Sequence, residues 1–194
     1  MSTTHLLYLH GFRSSPHSAK ARLMAERVQG QYPQVTWWCP QLPASPREAM
    51  ALVERGVATW PRQGMAVIGS SLGGFYAGWV QHRTGCARSV LLNPAVDPAR
   101  DLARYIGEQT VWHDPQERFF FLPEFVDELR ALVSPPQADP ARQLAFVARG
   151  DEVLDWREMA ARCAGATLHV LEGGDHALSD FPAYIDTVCR FLDM

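Results

Sequence analysis

Lysine is nearly missing from this 194-residue chain: of its 18 basic residues, only Lys20 is not arginine. That bias is the mark expected of GC-rich codon usage, and no function is read from it. An excess of basic charge is missing as well. Lys+Arg 18 against Asp+Glu 21 leaves a net charge of −3, with no basic run. This argues against a general binder of nucleic acid or of an anionic membrane, since both need such an excess. No C-x-x-C pair exists. Cys39, Cys86, Cys163 and Cys189 stand far apart, so neither a zinc ribbon nor a thioredoxin-type motif is available. They read as buried or free thiols of a reducing compartment. No apolar stretch is long enough to span a membrane. The stretch from Met1 to His10 lacks a basic n-region and a long apolar core, so no signal peptide is expected. The expected location is the cytoplasm. The G-x-x-x-x-G-K loop of phosphoryl-transfer enzymes is also missing. Nothing in the sequence implies a metal or a cofactor.

What is present suits one globular domain over residues 1–194. Hydrophobic residues make up 47% and charged residues 20%, too apolar for disorder. Short apolar runs alternate with amphipathic stretches. Six runs are expected as strands: His5 to Leu9, Val35 to Trp38, Met65 to Ile68, Ser89 to Leu92, Leu144 to Ala148 and Thr167 to Leu171. Between them, Ala21, Met24, Ala25 and Val28 share one helical face, as do Ala49, Leu52, Val53 and Trp60. Ser45, Pro46 and Glu48 open the second of these helices as a capping box. Asp155 with Glu158 opens a later one, and Phe181, Ile185, Val188 and Leu192 line a terminal one. Strands alternating with helices build an α/β fold: a mostly parallel sheet of about six strands with helices on both faces. Residues 97–143 break the rhythm, with Phe119, Phe120 and Phe121 and no clear strand. A helical lid over a site is the expectation there.

The strongest chemical signal is Gly69-Ser70-Ser71-Leu72-Gly73, a G-x-S-x-G between a buried strand and a helix. Two glycines permit a strained strand-to-helix turn that lifts the middle serine above the sheet. Ser70 does not fit the frame, because Ile68 and Leu72 occupy its glycine positions. A serine hydroxyl needs a base, and His176 follows the last strand, at the sheet edge where sites form. His82, His113 and His169 are expected to be structural or solvated, and His10 to shape its loop. The base needs a carboxylate, for which Asp151 after the fifth strand is the first candidate. Asp155, Glu152 and Asp97 compete for the role, while Asp175 is too local to orient the ring of its neighbour. Backbone N–H groups of Leu72 and Phe12 are expected to form the oxyanion hole. The order Ser71, Asp151, His176 is that of the α/β-hydrolase triad. The expected substrate is a small acyl ester or thioester, with Phe119, Phe120 and Phe121 as candidate walls of an acyl pocket. A non-catalytic binding protein on the same fold, or a small peptidase or amidase, is the alternative. Epoxide hydrolases and dehalogenases of this fold carry aspartate where Ser71 stands.

The sequence resembles the small bacterial YqiA-type esterases of the α/β-hydrolase superfamily. The resemblance rests on Leu7 to Pro16, Pro40 to Pro43, Gly69 to Gly74, Asn93 to Val96, Gly150 to Asp155 and Gly173 to His176. It implies a compact cytoplasmic esterase or thioesterase without the usual N-terminal strands. Nucleophile, acid and base would fall on Ser71, Asp151 and His176.

Overall fold

The computed structural model describes residues 2–112, 114, 116–137 and 139–194. All six expected strands form: β1 (His5–Leu9), β2 (Thr36–Trp38), β3 (Met65–Ser70), β4 (Arg88–Leu92), and the strands Gln143–Ala148 and Thr167–Leu171. The last two are β7 and β8, because residues 97–143 contain two further strands, β5 (Gly107–Thr110) and β6 (Arg118–Phe121). The main sheet runs β2-β1-β3-β4-β7-β8, and every pairing in it is parallel. Each crossover must therefore pass over a face of the sheet. The helices α1 (Ala19–Gln31), α2 (Pro46–Gly56), α3 (Leu72–Thr84) and α6 (Trp156–Arg162) lie on such crossovers, and α7 (Ile185–Phe191) follows β8 as the terminal helix.

Strand alternation divides the core in two. Leu6, Tyr8, Ala66, Ile68, Val90 and Leu144 pack against Met24 and Val28 of α1 and Ile185 and Val188 of α7. Leu7, Leu9, Val67, Leu91 and Ala145 face the other way, onto Met50 and Val53 of α2 and Tyr76 and Val80 of α3. β3 is buried at every position, which explains why its sequence is apolar without alternation.

Local signals hold with two adjustments. Ser45 caps α2 by accepting from the Glu48 backbone N–H at 3.2 Å, and Asp155 caps α6 through the Arg157 N–H. Glu158 is drawn outward instead, into two hydrogen bonds with Arg100. Trp60 lies beyond the end of α2 and meets Trp38 edge-on.

Residues 97–143 hold helices, as expected, and between them two strands that were not expected. They hold α4 (Pro98–Leu102), the antiparallel hairpin β5–β6, and α5 (Pro123–Ala131). α5 is tied to α2, where Glu128 accepts from the Ser45 hydroxyl and pairs with Arg47. The hairpin lies against the loop after β1, at the carboxyl edge of the sheet, through Arg13 and Phe12. The aromatic triplet belongs to its second strand, so period-two alternation decides its fate. Phe121 is 1% exposed in the core, whereas Phe120 is 61% exposed. Among the described residues, no helix is long and apolar enough to cross a membrane.

Candidate active site

Ser71 sits between β3 and α3 with φ 56° and ψ −121°, a left-handed conformation that a serine adopts only under constraint. The constraint is backbone packed on backbone. A Cβ on Gly69 would lie 1.9 Å from the Gly73 carbonyl oxygen, and one on Gly73 would lie 2.0 Å from that of Leu9. Glycine is thus obligatory at both ends of the motif. The strain, on the order of 1–3 kcal/mol, is held by the Ser71 N–H donating to Leu92 O at 2.9 Å.

His176 follows β8 and brings its Nε2 to 2.9 Å from Ser71 Oγ. Its Nδ1 is 2.8 Å from Asp151 Oδ2. A carboxylate only accepts, so Nδ1 carries the proton and Nε2 is free to accept from the Ser71 hydroxyl. The Asp151 side chain is fully buried, and its other oxygen accepts from the N–H groups of Val153 and Leu154, both at 2.8 Å. These bonds fix the carboxylate before it meets the ring.

The rival carboxylates are engaged elsewhere. Asp155 and Asp97 cap α6 and α4. Glu152 accepts from the backbone N–H of His176 at 2.9 Å, away from the ring nitrogens. Asp175 accepts from the N–H and hydroxyl of Ser179. Among the other histidines, His169 stacks on Phe146 in the sheet and His82 is exposed on α3. His113 lies outside the described residues. His10 is buried, and its Nε2 accepts from the Leu42 N–H at 3.1 Å. With Nε2 accepting, Nδ1 donates to Gly11 O at 3.0 Å, so a neutral ring ties the loop after β1 to the Gln41–Leu42–Pro43 stretch.

That loop abuts the serine: a Cβ on Gly11 would lie 3.2 Å from Ser71 Cβ. Among the described residues, no acceptor takes the backbone N–H of Phe12 or of Leu72, and both residues border the cavities beside Ser71. One cavity, of about 630 Å³, is lined by Ser71, His176, Lys20, Trp112, Val153 and Leu178, among others. A smaller one, of about 220 Å³, lies against Phe12, Leu72, Leu42, Tyr76 and Phe119. Of the three phenylalanines expected to wall a pocket, only Phe119 borders either of these cavities. Phe120 faces outward from its strand, and Phe121 packs on Phe12 and Phe125.

The family model described as Uncharacterised protein family (UPF0227) matches residues 5–193. The chain belongs to that family. The YqiA-type resemblance read from the motifs is to this same UPF0227 family. Similar solved structures extend the comparison. Mouse alpha/beta hydrolase domain-containing protein 10 superposes with a TM-score of 0.70 at 15% identity, covering 99% of this chain and 92% of that one. A structure from the work on LipS and LipT, two metagenome-derived lipolytic enzymes, gives 0.67 at 16% identity, with 99% and 94% covered. Est1E from Butyrivibrio proteoclasticus, bound to ferulic acid, gives 0.71 at 12% identity, with 99% and 87% covered. At such identities the likeness establishes the α/β-hydrolase fold for this UPF0227 chain.

Two features of the site were given no role by the sequence. Asn93 is fully buried at the end of β4, where its Nδ2 donates to Asp175 O at 2.9 Å and its Oδ1 accepts from Ala148 N–H at 2.8 Å. It thereby joins the His176 loop to the end of β7. The Asn93-Pro94 pair reads only as a strand stop. Trp112 borders the larger cavity and lies under the Arg13 guanidinium, 4.2 Å from its ring centre. A lone tryptophan in a polar stretch gives no hint of that placement.

Proposed function

We propose that the protein is a serine hydrolase of carboxylic esters or thioesters, working through an acyl-enzyme on Ser71. The observation that carries this reading is the relay from Ser71 Oγ through the His176 ring to the buried Asp151 carboxylate, at 2.9 and 2.8 Å. A histidine held in one tautomer by a buried carboxylate, with its other nitrogen on a strained serine, is arranged to accept a proton. As Ser71 Oγ attacks the carbonyl carbon, its proton passes to His176 Nε2. Asp151 stabilises the imidazolium without taking the proton itself. The carbonyl oxygen becomes an oxyanion, for which the N–H groups of Leu72 and Phe12 are the proposed donors. His176 then returns the proton to the departing alkoxide or thiolate, leaving the acyl group on Ser71. Water, deprotonated by the same nitrogen, adds to that carbonyl, and collapse releases the acid and restores the Ser71 hydroxyl. The esterase and lipolytic enzymes among the similar structures support this reaction class.

A fluorophosphonate probe tests the assignment directly. Wild type is expected to be labelled on Ser71 and to lose ester hydrolysis. Labelling at Ser70, or retained hydrolysis by Ser71→Ala, would overturn it.

A further inference from the structure

Lys20, the chain's only lysine, is half-buried at the wall of the larger cavity, which it shares with Ser71 and His176. Its ammonium donates to the Ala177 carbonyl oxygen. An ammonium has three N–H donors, so two remain. Among the described residues, no carboxylate lies within ion-pair distance of it. Asp175 and Asp151 are near enough to act on its charge, yet their oxygens are committed to Ser179, His176, Val153 and Leu154. Glu152, the acidic residue on the cavity wall, is committed to the His176 N–H. Burial outweighs the pull of those carboxylates and lowers the Lys20 pKa to about 8, the mark of a cation short of counter-charge.

The start of α1 lies at the same place. Ser18, Ala19 and Lys20, the first turn of the 13-residue α1, border the cavity. Ser18 makes no side-chain cap bond, and no acidic residue occupies that turn, so its N–H groups and positive dipole end are uncompensated.

We infer that Lys20, with the start of α1, forms an anion subsite within the Ser71 cavity that takes a carboxylate carried by the substrate. This inference rests on the hydrolase reading and narrows its substrate class to acyl compounds bearing a negative group. The surrounding wall, including Leu23, Leu178, Phe181 and Val153, is apolar and strengthens a charge-assisted hydrogen bond made inside it.

The test compares kcat/KM for charged and neutral esters of similar size in two arms. Nitrophenyl hydrogen glutarate against nitrophenyl pentanoate puts the carboxylate on the acyl side. Carboxyphenyl acetate against tolyl acetate puts it on the leaving group. Wild type is expected to favour the charged ester in one arm, which identifies the side that faces Lys20. Lys20→Met is expected to lower that charged-to-neutral ratio about 10–100-fold, the usual value of a buried hydrogen bond to a charged group. Lys20→Arg should restore part of it. A Lys20 that only clamps the His176 loop would depress both esters together, and an unmoved ratio overturns the subsite. Calorimetric titration of Ser71→Ala with monomethyl glutarate separates the two proposals. Binding that is lost in Ser71→Ala/Lys20→Met, with no ester turned over by wild type, sustains the subsite and sinks the hydrolase reading. Turnover with no charge preference in either arm does the reverse.

Discussion

The turn that carries Ser71 and the β5–β6 hairpin border the same cavity, but they are held in place by different means. At the turn, backbone lies on backbone, with Gly69 against Gly73 and Gly73 against Leu9 at separations no Cβ could occupy. The relay to His176 and Asp151 adds bonds from three strand ends of one continuous sheet. The hairpin is held by one end of its loop, where the Trp112 N–H donates to Arg13 O at 2.8 Å, and otherwise by side chains. Arg13 donates to the Thr110 carbonyl and hydroxyl oxygens at 2.6 and 2.8 Å, and Phe12 packs on Phe119 and Phe121. Rigid elements hold a reacting group more closely than a loop can, whereas side-chain packing can be exchanged piecewise. On this reading the sheet edge carries the chemistry, and the hairpin and α1 adjust which substrate reaches it.

Mutations can break that division, and the largest effect is expected at the serine. Ser71→Ala should lower kcat by about 10⁴–10⁶ with the fold intact, measured on nitrophenyl esters with circular dichroism as the control. Asp151→Asn should follow at roughly 10⁴, since the amide favours the wrong imidazole tautomer. Asp155→Asn should affect mainly helix stability, so a larger kinetic loss there than at Asp151 would move the acid's role to Asp155. Gly73→Ala should cost at least about 1–3 kcal/mol of stability through overpacking, visible as a lower denaturant midpoint. If it folded with wild-type stability, the claim of backbone constraint would fail.

The hairpin should respond more gently. Trp112→Ala removes one wall of the cavity and should change kcat/KM for longer esters by about tenfold or less, at about 0.8 kcal/mol per buried methylene. Phe120→Ala should leave the chain-length profile as it is, because Phe120 faces outward. A changed profile would mean that the hairpin turns over in solution.

The α1 subsite adds a pH dependence. Lys20 titrates at about 8 in the folded chain, against 10.5 for an ordinary lysine, because burial disfavours its charge. The folded state therefore holds this proton less tightly than the unfolded state. The cost to stability is fully present below pH 8 and fades as the pH rises towards 10.5. Lys20→Met should raise stability at neutral pH, a penalty expected of a functional charge. The preference for a charged ester should decline as the pH passes about 8. Bonds from Ser179 hold Asp175 below its usual range, so it keeps its charge there.

The strands, their parallel direction and the G-x-S-x-G turn were legible in the sequence, because each rests on local physics. A parallel strand buried on both faces must be uniformly apolar, as Met65 to Ile68 is, and a strained turn must have glycine at Gly69 and Gly73. The ring partner of His176 was legible as Asp151 ahead of Asp155, Glu152 and Asp97, and only the fold brings Asp151 to the ring. Residues 151, 152 and 155 sit together in the chain, and hydrogen bonds to Val153, His176 and Arg157 gave each carboxylate its own task. The hairpin was missed because its strands are short and its pairing is non-local: Gln109 opposite Phe119 is invisible to a periodicity read along one segment. Asn93, Trp112 and Lys20 matter for what surrounds them, and the sequence places Lys20 far from Ser71 and His176. Sequence by itself determined the secondary structure of the sheet, the turn and the order of the reacting groups, since these follow from residue type and spacing along the chain. Tertiary structure alone decided which carboxylate meets the ring, which aromatics face a cavity and where the lone lysine points, because those outcomes depend on distances between segments that no local pattern encodes.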